Sequence, residues 1–121
     1  MTLARRLFVW AAIAVLATPA FAHHGWRWTD TGDFELTGVI TAARLGNPHG
    51  VLTVDADGEV WQAEVGQPYR NAAAGLRDDM LAIGTEVTLL GKRSADPATR
   101  LMKAERVTIA GRHYDLYPER L

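Results

Sequence analysis

From residue 34 onward, apolar and polar residues alternate in short bursts separated by turn residues. The stretch FELTGVIT (34–41) begins with apolar/polar alternation, the period-two signature of a half-buried strand. It carries Gly38 at its centre, a common mark of a bend or bulge. LGNPHG (45–50) holds two glycines and an Asn-Pro, which reads as a loop. VLTVD (51–55) is a second strand, and Asp57-Gly58 is a hairpin signal. EVWQAEV (59–65) alternates strictly, with Trp61, Ala63 and Val65 on one face of a third strand.

The period then changes. Residues 68–83 contain NAAA (71–74), Gly75 and LRDDML (76–81). Alanine and leucine favour helix and Gly75 interrupts it, which predicts one or two short helical turns. Asp78 and Asp79 belong at a helix start, where negative charge is favoured. EVTLLGKR (86–93) is a fourth strand, and residues 94–99 form a turn containing Asp-Pro. Residues 101–109 are a fifth strand whose alternation slips near Glu105-Arg106, the expected signature of a bulge. A short final segment (113–117) ends at Pro118.

Three strands, a helical connection and two more strands predict a mainly β fold. The order is that of a small five-stranded OB-like β-barrel, with the short helical connection between strands 3 and 4. A β-sandwich needs about seven strands and fits the count less well.

Upstream of this domain the pattern is that of a signal peptide. Arg5 and Arg6 form a positive n-region and LFVWAAIAVLA (7–17) an uncharged apolar run. Thr18 and Pro19 break the run, and Ala20-Phe21-Ala22 fits the small-x-small cleavage pattern. The apolar run is shorter than the ~20 residues a spanning helix needs. The chain therefore divides into a helical signal peptide (1–22), an N-terminal extended arm (23–33) and the OB-like barrel (34–121). The expected location is the periplasm, with no stable membrane insertion after cleavage.

Charge and composition narrow the function. Removing residues 1–22 takes away two arginines and no acids, leaving 11 Lys+Arg against 14 Asp+Glu, a formal net charge of −3. A general nucleic-acid binder would carry a basic excess, so none is expected as a partner. The chain has no cysteine, which excludes a disulfide and thiolate metal chemistry. Ser94 is its one serine and lies in a turn; no phosphate cradle or acid/base carboxylate pair stands out. A binding module, rather than an enzyme, is the expectation.

Several pieces resemble one family in matching order: His23-His24-Gly25-Trp26, LTGVI (36–40), Asn47-Pro48-His49 and GTEVT (84–88). They are similar to the exported bacterial domain-of-unknown-function family 6152. The resemblance covers nearly the whole chain after the signal peptide and implies a small periplasmic OB-like domain with no assigned activity. Where similar sequences have an apolar or aromatic stretch after Asn-Pro-His, this chain has Gly50.

The histidines are the candidate ligands. Cleavage after Ala22 gives His23 a free α-amine, so its amine and imidazole chelate one metal ion. A third imidazole, from His24 or His49, completes a T-shaped set suited to copper(II), which prefers tetragonal nitrogen sites. Imidazoles, with pKa of ~6.5, are mostly neutral and available at pH 7. Cleavage after Ala20 instead makes Phe21-Ala22-His23 the terminus, another square-planar copper or nickel chelate. The candidate metal ligands are thus His23, His24 and His49, with copper the expected ion. The alternative is a non-metal accessory module that holds a small ligand or protein partner. Trp61 is expected in the core, Trp26 and Trp28 are expected to pin the arm to the barrel, and His113 is expected on the surface.

Overall fold

The computed structural model describes residues 25–121. The signal-peptide expectation, His23 and His24 fall outside that range. Among the described residues, no helix is long and apolar enough to cross a membrane.

Six strands form: β1 (Phe34–Arg44), β2 (Val51–Ala56), β3 (Glu59–Glu64), β4 (Glu86–Arg93), β5 (Leu101–Ile109) and β6 (Arg112–Asp115). Between β3 and β4 lie the short helix α1 (Pro68–Ala73) and a 3-10 turn, Asp78–Leu81. The sheet runs β3-β2-β1-β4-β5-β6, and β3 also pairs with β5 in parallel. That last pairing closes the first five strands into the expected OB-like barrel. The final segment read from the sequence is a true strand, β6, which forms a hairpin with β5 outside the closed ring.

Local chemistry explains the elements. Asp57 and Gly58 both take positive φ, 52° and 83°, making the tight β2–β3 turn, as an Asp-Gly pair between alternating strands predicts. Asp55 Oδ1 accepts from the Gly58 N–H at 2.8 Å and braces the turn. Pro68 opens α1, where its missing N–H costs nothing. Asp78 and Asp79 occupy the first turn of the 3-10 segment.

The alternating apolar residues point inward. Leu36, Ile40, Leu52, Val54, Trp61, Ala63, Val65, Val87, Leu89, Met102, Ala104 and Val107 are buried together, joined by Leu76 and Leu81 from the connection. Trp61 is a core residue, as its face predicts, and stacks 4.9 Å from Phe34.

Two irregularities bend the sheet. In β1, Ile40 faces Val54 and Ala42 faces Thr53, so Thr41 is the extra residue. Gly38 lies outside that bulge. Its lack of a side chain lets β2 approach, because an added Cβ would run into the Asp55 carbonyl. In β5, Leu90 faces Arg106 and Gly91 faces Ala104, leaving Glu105 as the extra residue. This is the bulge that the slipped alternation predicts.

The chain before β1 is anchored to the barrel. Residues 25–28 turn, and Thr29 bridges to Ser94. The turn is closed by the Thr29 N–H and hydroxyl, which both donate to the Trp26 carbonyl.

Candidate functional site

The β1–β2 loop folds over the outer face of β3. Its Asn47–Pro48 peptide is cis, and Gly46 takes φ 135°. Gly50 stitches the loop to the end of β3: its N–H donates to Gly66 O, and its carbonyl accepts from Val65 N–H at 2.9 Å. A side chain at Gly50 would force Val65 and Leu45 to shift, since a Cβ would lie 2.7 Å from Val65 Cγ2 and 2.9 Å from Leu45 Cδ2.

Gly66 is itself held by Asn71 of α1. The buried Asn71 amide accepts from Gly66 N–H and donates to Gly66 O, both at 3.0 Å. Helix, strand end and loop thus form one hydrogen-bonded unit that fixes the position of His49.

His49 meets Glu64 in this unit. Nε2 lies 3.0 Å from Glu64 Oε1, with side-chain exposures of 16% and 3%. Glu64 sits on the outer face of β3, between the inward-facing Ala63 and Val65. It is nonetheless only 2% exposed. Its second oxygen, Oε2, is buried with no hydrogen-bond partner among the described residues. Burial raises the Glu64 carboxyl from 4.5 to about 7, opposed by the positive charge of Lys103.

The parallel β3–β5 register puts Lys103 directly beside Glu64. Lys103 is also buried. Burial pushes its ammonium below the usual lysine value, the attraction of Glu64 opposes that shift, and Arg120 and Arg70 add to it. Its Nζ donates to the Gly25 carbonyl at 3.2 Å and lies 4.6 Å from the centre of the Trp26 ring. Trp26 meets Tyr117 edge-on, with ring centres 5.0 Å apart, and the Arg120 guanidinium lies 3.8 Å from the Trp26 ring centre. Such cation–π contacts hold an aromatic residue in place. They account for the pinning role expected of Trp26.

His49 and Glu64 share a pocket of about 650 Å³ with Arg44, Leu45, Asn47, Pro48, Val51, Gln62 and Leu101. It lies where the β1–β2 loop overhangs β2, β3 and the start of β5. The face of strands 2 and 3 and the β1–β2 loop are among the regions with which OB-folds bind ligands.

Of the sequence-derived metal candidates, His49 is in the pocket, while His23 and His24 lie outside the described residues. No cluster of three or more metal-ligating side chains occurs among the described residues. His113 is exposed and shares a 2.8 Å hydrogen bond with Thr108. Glu64 is the residue of this candidate site that periodicity does not mark, because strict alternation makes it solvent-facing. A signal was present: a two-residue turn at Asp57-Gly58 sets Ala56 opposite Glu59 and hence Val51 opposite Glu64, close to His49.

The model of a family of unknown function, DUF6152, matches residues 11–102. No curated protein matches the chain in sequence. Among solved structures, the chain is similar to one in the S. pombe Stn1-ten1 complex, at 20% identity and TM-score 0.52. The match covers 64% of this chain and 57% of that one. It is also similar to the ZRD-deleted mutant of TiaS in complex with agmatine, at 15% identity and TM-score 0.51, over 69% of this chain and 26% of that one. The chain thus spans less than two thirds of either relative, and at these identities the likeness carries the fold alone.

Proposed function

We propose that this chain, which belongs to the family of unknown function DUF6152, is a periplasmic binding module rather than an enzyme. Its ligand is copper(II), held by His49 together with His23 and His24 at the mature N-terminus.

One observation carries this reading. The last described residue before those histidines, Gly25, is tied by its carbonyl to Lys103. Lys103 is the register neighbour of Glu64, which is 3.0 Å from His49. Covalent geometry keeps the His24 Cα ~3.8 Å from that of Gly25, and the His23 Cα within about 7 Å. An imidazole side chain adds further reach. The tie from Gly25 to Lys103, the register neighbour of Glu64, supports a reading in which the terminal donors join the loop histidine.

The pocket itself favours a second reading. About 650 Å³ walled by Leu45, Pro48, Val51 and Leu101, with Arg44 and Gln62 as polar groups, is large enough for a small organic ligand.

The test uses protein exported through its own signal. Intact mass fixes the mature terminus, and calorimetric titration with copper(II) compares the wild type with His23→Ala and His49→Ala. Submicromolar one-to-one binding, weakened in both variants, supports a site joining terminus and loop. Binding lost only in His23→Ala indicates a terminal chelate without the loop, and the small-ligand reading then takes its place.

A further inference from the structure

We infer that Glu64 is itself a metal ligand, and that its carboxylate and the His49 imidazole form a preassembled pair of adjacent donors for copper(II). This inference rests on the copper reading above and assigns a role to a residue the sequence reading left out.

Three features support it. The first is distance. Imidazole nitrogen and carboxylate oxygen bind such ions at ~2.0–2.2 Å. Two donors at ~2.1 Å that subtend a right angle at the metal are ~3.0 Å apart, whereas a tetrahedral pair is ~3.4 Å apart. The observed separation of His49 Nε2 and Glu64 Oε1 is 3.0 Å, an ordinary hydrogen-bond distance that is also compatible with neighbouring corners of the square that copper(II) prefers. A metal entering from the pocket replaces the His49–Glu64 contact with two coordination bonds, without a change in the donor spacing.

The second is the unpartnered Oε2. A buried carboxylate oxygen without a hydrogen bond costs free energy. This one is buried in a side chain that is 3% exposed and lines the pocket. A cation that the carboxylate holds through both oxygens, Oε1 beside His49 and Oε2, satisfies it.

The third is rigidity. Asn71 clamps Gly66, and Gly50 is stitched to Gly66 and Val65, so both donors sit on a hydrogen-bonded frame. A site held on rigid elements loses little entropy when the metal arrives.

The test uses the exported mature protein and copper(II) as the probe, with calorimetry and electron paramagnetic resonance on the wild type, Glu64→Gln and His49→Ala. Glutamine matches the shape of glutamate, and circular dichroism checks that the variant folds. The expected result is a loss of ~10–100-fold or more in affinity for Glu64→Gln, together with a copper spectrum showing fewer oxygen donors. Reduced affinity with an unchanged spectrum overturns the inference, because Glu64 would then only position His49. Glu64→Gln matching the wild type while His49→Ala binds weakly also overturns it and leaves the copper reading intact. A wild type that does not bind copper, or a His49→Ala variant that binds like the wild type, overturns both.

Discussion

The His49 imidazole nitrogen lies 3.0 Å from a carboxylate oxygen of Glu64, and the other oxygen of Glu64 is buried with no hydrogen-bond partner among the described residues. The arrangement places an acid in a water-poor site between an imidazole and the Lys103 ammonium. A carboxyl in such surroundings holds its proton longer than it does in water.

This has a consequence for stability. Burial raises Glu64 from 4.5 to about 7 against the pull of Lys103. Between those values the folded protein keeps a proton that the unfolded chain has released. The contribution of Glu64 to stability is therefore most favourable below about pH 4.5, falls as pH rises towards 7, and is constant above that. The full span is about 3 kcal/mol, at ~1.4 kcal/mol per pH unit. The Lys103 ammonium faces the same carboxyl and opposes the rise. Urea unfolding of chelator-treated protein between pH 5 and 8 should show the decline, and Glu64→Gln should flatten it.

Asn71 holds both the N–H and the carbonyl of Gly66 at 3.0 Å from inside the protein. Asn71→Ala leaves two backbone groups without those bonds. The expected loss is about 1–3 kcal/mol, the cost of the one group left unsatisfied, the Gly66 N–H, since the carbonyl still accepts from Gly50. Urea denaturation measures it. Because Gly66 also accepts from Gly50, the variant should bind copper(II) less tightly even under conditions where it remains folded.

Gly91 faces β5 at the bulge, where an added Cβ would run into the Lys103 carbonyl. Both groups are backbone, so neither can rotate away. Gly91→Ala should cost ~1–3 kcal/mol, typical of forced overpacking. In a domain of this size that lowers the melting temperature by ~4–8 °C per kcal/mol. Gly25→Ala serves as a contrast for steric crowding: Gly25 has nothing within 4 Å of an added Cβ, although its φ of 72° leaves a backbone strain.

Trp26 fastens the start of the described chain by contacts with Lys103, Tyr117 and Arg120. Trp26→Ala should release that anchor. The expected outcome is a folded barrel with faster proteolysis N-terminal to Phe34 and weaker copper(II) binding. Limited proteolysis with mass spectrometry reads the first effect and calorimetry the second.

The elements were legible because each rests on local chemistry. Alternation at Trp61, Ala63 and Val65 marks an inward face. Asp57-Gly58 supplies the positive φ of a tight turn, and the slip at Glu105-Arg106 records a residue that must bulge. The strand order around a short helical connection was enough for an OB-like barrel. The sixth strand was read only as a short segment because a four-residue strand carries too little pattern to be told from a turn.

The sequence by itself determined the strands, the turns, the inward faces and the histidines available as ligands. The tertiary structure decided which of those side chains meet. Parallel closure of β3 on β5 sets Lys103 beside Glu64, and the β1–β2 loop brings His49 onto the same carboxylate. Periodicity assigns a residue to one face of its own strand. It carries no information about what another strand or loop lays over that face, so a glutamate that alternation marks as exposed becomes buried only when the barrel closes.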